Sequence, residues 1–84
     1  MIEINLLGGI KKLVGHSNLK MNEDSSNVKG IISYLENNYY SNNALNKNDI
    51  MIAINGIESS LLGGYDAKVS SGDTVTILSV VHGG

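Results

Sequence analysis

The chain has 84 residues, of which 42% are hydrophobic, enough for one domain and too few for two separate cores. It contains no cysteine, which excludes a disulfide scaffold, a thiolate nucleophile, an iron–sulfur cluster and a cysteine zinc site, and its small core must hold unaided. The formal charge is −2, with six lysines, no arginine and no basic cluster beyond Lys11-Lys12, so tight nucleic-acid binding through phosphate neutralisation is not expected.

Ile2, Ile4 and Leu6 fall on every second position and predict a first strand that Gly8-Gly9 ends. This start lacks the basic and long apolar stretches of a signal peptide. No run reaches the roughly 18 apolar residues of a membrane span, so a soluble, cytoplasmic protein away from membranes is expected. Alternation at Leu19 and Met21 predicts a second strand over His16 to Met21, with Gly8 through Gly15 as a loop or irregular connection. Ser25-Ser26-Asn27 offers capping side chains. Val28, Ile31, Ile32, Leu35 and Tyr39 then recur at helical spacing, which predicts an amphipathic helix from about residue 26 to 39. Gly30 lies inside it and costs about 1 kcal/mol against alanine, so the apolar stripe must hold the helix.

The segment "NNYYSNNALNKND" reads as a polar loop. Ile50, Ile52 and Ile54 alternate in a third strand that runs into Asn55-Gly56, a hairpin pair, and Ile57 begins the return. "LLGGYD" bends the chain, Ser71-Gly72-Asp73 turns it, and "TVTILSVV" is the last strand. The order strand, strand, helix, strand, short strand, strand predicts an α+β fold of the β-grasp type. Its mixed sheet of four to five strands would carry one main helix on one face. Residues 1–80 would form the domain and 81–84 a flexible tail, projecting from a last strand that lies beside the first at the centre of the sheet.

The motifs of several enzyme classes are missing. "GGIKK" lacks the phosphate-loop spacing and no G-x-G-x-x-G occurs. His16 and His82 are the two histidines, too few for a convergent metal site, and no nucleophile elbow frames any serine. What remains is the terminal carboxylate after Gly83-Gly84. Two residues without Cβ can pass through a narrow channel and let a partner's active site close on the main chain alone. A carboxylate of pKa about 3.5 is an anion at neutral pH and a poor electrophile, so acyl chemistry there needs activation, most simply adenylation by a separate enzyme. The competing reading is a frayed end without a role.

The stretch "AINGIESSLLGGYDAKVSSGDTVTILSVVHGG" resembles the ubiquitin-like sulfur carriers and modifiers in its "ING" turn, its "GD" before the last strand and its terminal "GG". That family includes the small subunit of molybdopterin synthase, the thiamine sulfur carrier, the archaeal small modifiers and the ubiquitin-related modifier. "LLGGYD" and "HGG" look most like the ubiquitin-related modifier and its archaeal relatives, although Val80-Val81 stand where many relatives carry proline. The resemblance implies a carrier rather than an enzyme, with Gly84 the reactive residue and Gly83 its spacer. It further implies an E1-like partner that uses MgATP, no cofactor on this chain, and a persulfide donor of the rhodanese kind. The recipients would be a tRNA thiolase, the large subunit of molybdopterin synthase, or target lysines joined by isopeptide bonds. The alternative is a β-grasp interaction domain or non-catalytic subunit with an incidental Gly-Gly end.

In the last strand Val75 and Ile77 share one face, and Leu78 and Val80 the other. If the first pair faces the helix, Leu78 and Val80 form a partner surface leading through Val81 and His82 to the tail, or are covered by a loop or a second copy. His82 would hydrogen-bond in a partner's channel or merely be tolerated there.

Overall fold

The computed structural model describes residues 1–39 and 49–79. Most of the polar segment between the helix and the third strand, and all of Val80, Val81, His82, Gly83 and Gly84, therefore lie outside the described residues.

The chain runs β1 (Ile2–Gly8), α1 (Gly9–Val14), β2 (Asn18–Met21), β3 (Ser25–Asn27), α2 (Val28–Asn38), β4 (Ile50–Ile54), β5 (Ile57–Glu58), β6 (Lys68–Ser70) and β7 (Thr74–Ser79). Five strands form one sheet in the order β2-β1-β7-β4-β5, while β3 and β6 pair separately. β1 and β7 are parallel and the other pairs antiparallel, so the sheet is mixed, and the first and last strands are neighbours as expected. Alternation explains the sidedness: Ile2, Ile4, Leu6, Leu19, Met21, Ile52, Ile54, Val75 and Ile77 are buried in one cluster with Val28, Ile31, Ile32 and Leu35 of α2. Each such side chain stabilises the fold by roughly 1.5–3 kcal/mol through burial.

Three expectations are corrected. Gly8 to Gly15 is not simply a loop but contains α1, whose Ile10 and Val14 lie one helical turn apart and join the core. The second strand begins at Asn18 rather than His16. The main helix begins at Val28 because Ser25–Asn27 is extended and pairs with β6. Asn27 nevertheless caps it, its Oδ1 accepting from the Gly30 N–H at 2.7 Å. "LLGGYD" bends through parts of two 3-10 turns, Ser59–Leu61 and Gly64–Asp66.

Candidate functional site: the open sheet face and the root of the C-terminal tail

One face of the sheet is covered by the core; the other is open. Along it the side chains change character. Near the start of β1, Glu3 and Asn5 both accept from the Asn18 side chain, at 3.0 and 2.6 Å. Asn5 is level with Thr76, and Thr76 with Ala53. The next row toward the end of β7 is apolar: Leu7 is the partner of Leu78, and Leu78 of Met51. These three side chains on adjacent strands are 48%, 37% and 55% exposed. The apolar row therefore lies at the end of the sheet from which residues 80–84 continue.

Leu78 is thus exposed while Val75 and Ile77 are buried, as alternation predicts; Val80, on the same face by that count, lies outside the described residues. Sequence reasoning missed Leu7 and Met51. Leu7 follows three buried alternating positions and is the natural outward residue of β1, but nothing in the linear sequence shows that it stands beside Leu78. A recess of about 180 Å³ next to Met51, bordered by Glu58, Ser59 and Tyr65, is of side-chain rather than cofactor size. Among the described residues no group of three or more histidines or carboxylates gathers as metal ligands. No helix among them is long and apolar enough to cross a membrane.

β7 reaches the open face from a central position, flanked by β1 and β4. Its last described residue, Ser79, turns inward and is only 7% exposed. Its Oγ accepts from the Ile10 N–H at 2.6 Å, so the last described residue of the strand is bonded to the start of α1.

The profile of the Urm1 (ubiquitin related modifier) family matches residues 1–84. The chain belongs to that family. The protein is thus a ubiquitin-like sulfur carrier or modifier, a class that is non-catalytic. The fold agrees. The solution structure of Urm1 from Trypanosoma brucei superposes with a TM-score of 0.78 at 24% identity, covering 99% of this chain and 94% of that one. The small archaeal modifier protein SAMP1 from Methanosarcina acetivorans gives 0.76 at 21% identity, with coverage of 99% and 95%. CysO, as seen in the Amycolatopsis orientalis BexX/CysO complex, gives 0.75 at 22% identity over 100% of both chains. No match was found among curated proteins.

Proposed function

We propose that this family member is a carrier whose Gly84 carboxylate is the reactive group, with Gly83 as its spacer and residues 81–84 acting as a tail on the 1–80 domain. A separate E1-like enzyme supplies MgATP, and this chain binds no cofactor itself. A carboxylate oxygen attacks the α-phosphorus of ATP and pyrophosphate leaves, giving an acyl-adenylate. The terminal sulfur of a rhodanese-like persulfide then attacks the carbonyl carbon and AMP leaves. A thiol cleaves the resulting acyl disulfide, is itself oxidised to a disulfide, and releases the thiocarboxylate. That sulfur passes to tRNA or to molybdopterin. In the modifier branch, a target lysine amine attacks the acyl-adenylate carbonyl instead, AMP leaves, the nitrogen loses a proton, and an isopeptide bond forms. Cytoplasm, where MgATP and such partners meet, is the compartment proposed.

The observation that supports this reading is the apolar row Leu7, Leu78 and Met51 around a central strand that runs directly into the tail. A partner seated on that row is placed to receive Val80, Val81 and His82 and, beyond them, the two glycines. Burying the row is worth several kcal/mol to a complex, while two terminal glycines without side chains add little affinity and much access.

Intact mass spectrometry tests the proposal. The protein is incubated with its host's E1-like enzyme, MgATP and a sulfide source. The expected product carries one sulfur in place of one oxygen, and a variant lacking Gly84 gives none while keeping its melting temperature. No adenylate and no thiocarboxylate, from an enzyme shown to act on another carrier, would overturn it. An interaction domain with incidental glycines would retain its partner after the deletion.

A further inference from the structure

β1 and β7 end together, and the way they end bears on the tail. Gly8 is the partner of Ser79 in the parallel ladder. Its backbone angles, φ 76° and ψ −145°, lie in a region that glycine alone occupies without strain. A Cβ at this position would collide with the carbonyl oxygen of Ser79. The missing side chain lets the main chain of β7 lie flush against the β1–α1 junction.

α1 starts without a cap from its own N-cap residue, which is Gly8. The acceptor comes instead from 69 residues away, where Ser79 Oγ takes the Ile10 N–H. Among the described residues Ser79 is the one polar residue that is buried, and its strand otherwise buries Val75 and Ile77. On packing grounds a valine or isoleucine would serve this inward position. A hydroxyl there is costly to desolvate unless bonded, and its bond ties the end of β7 to α1.

The geometry points to Ser79 as a positioning residue for the chemistry of the tail: with Gly8 and the Ile10 N–H it clamps the root of residues 80–84. This rests on the reading of Gly84 as the reactive carboxylate. Five residues beyond the clamp reach at most about 17 Å. The clamp therefore fixes the point, beside the apolar row, from which those five residues begin. Without the clamp the strand end frays, the tail gains rotatable backbone upstream of Val80, and fewer docked complexes present the carboxylate to ATP. The docking face itself is unchanged, so affinity and turnover should separate.

The test uses the full chain with its E1-like enzyme, following ATP–pyrophosphate exchange, together with amide hydrogen exchange of the free protein. In Ser79→Ala the Ile10 amide should exchange about five- to tenfold faster. The kcat for adenylation should fall about three- to tenfold with KM unchanged. Ser79→Thr, which keeps an acceptor oxygen, should restore both. Ile31→Val, a core truncation on α2 that leaves the Ser79–Ile10 bond intact and lowers the melting temperature comparably, should leave kcat alone. Unaltered kcat in Ser79→Ala despite faster Ile10 exchange would overturn the proposal and reduce Ser79 to a structural cap. Unaltered Ile10 exchange would overturn the bond on which it stands. A wild-type chain that gives no exchange at all with a competent enzyme would instead sink the carboxylate reading, and this proposal with it.

Discussion

Asp73 sits where two turns meet, at the end of the sheet away from the tail. Its Oδ1 accepts from the Asn55 side-chain amide at 3.0 Å and its Oδ2 from the Ser70 N–H at 2.8 Å, while Asn55 Oδ1 takes the Thr74 N–H at 2.9 Å. Asn55 has φ 51°, the left-handed conformation that an Asn-Gly hairpin requires. The Asn55 hydrogen bond, and then the Ser70 backbone, hold the Asp73 carboxyl below the usual carboxylate range. A pKa depressed in the folded state contributes stability above the unfolded value of about 3.9, and that contribution is lost as pH falls through the folded value. Urea unfolding of wild type and Asp73→Asn should therefore show a gap at pH 6 that closes at the acid end of the titration; a gap independent of pH would refute the assignment. Asn55-Gly56 and Ser71-Gly72-Asp73 are both legible in the sequence as turns. Their bond to each other is not, because it joins residues 18 apart whose proximity depends on β4 and β7 being neighbours. Gly30 follows the same logic. Its position in a helix looks costly; a Cβ there would require the Ser26 hydroxyl to turn aside, and its N–H holds the Asn27 cap. The cap's contribution of about 1 kcal/mol offsets the glycine's propensity cost of similar size.

At the scale of elements, the open face passes from polar at Glu3, Asn5 and Asn18 to apolar at Leu7, Leu78 and Met51. Leu78→Asp adds a charge to a position already 37% exposed, so the melting temperature should shift by only a few degrees. The same charge in a partner's apolar contact should raise KM for adenylation about tenfold or more. An unchanged KM would move the docking surface elsewhere. The strands with strict alternation, β1, β4 and β7, were legible because period two needs only four or five residues to show. α1 was not: with six residues, the first of them Gly9, between Gly8 and Gly15, it is too short to display a helical period. β3 and β6 escaped for the opposite reason. Ser-Ser-Asn is capping chemistry as readily as strand, and only pairing across more than 40 residues makes it extended.

The whole molecule follows from few ingredients. The stripe of α2, Ile10 and Val14 of α1, and strands β1, β2, β4, β6 and β7 share a single core, and a parallel pair of terminal strands demands a crossover, which α2 provides. That much is written in the order of elements, and the family match over residues 1–84 bears it out. The lateral contacts that make a candidate site, Leu7 with Leu78 with Met51 and Ser79 with Ile10, arise only once register is set, and no local pattern announces register.

The parallel ladder also gives the carrier a mechanical character. β1 and β7 are level from Glu3 and Thr74 to Gly8 and Ser79, so a pull between Met1 and Gly84 draws the two strands past each other in opposite directions. Their hydrogen bonds then bear the load together. A pull between Ile50 and Gly84 instead opens the antiparallel pair from the rung where Ile50 faces Ser79, one rung at a time. Single-molecule stretching should require a clearly higher force in the first geometry; equal forces would mean that the central ladder bears no special load. A cargo protein joined to Gly84 and tugged by a motor or a protease, with the carrier held at its start, would pull along the direction in which this domain yields last.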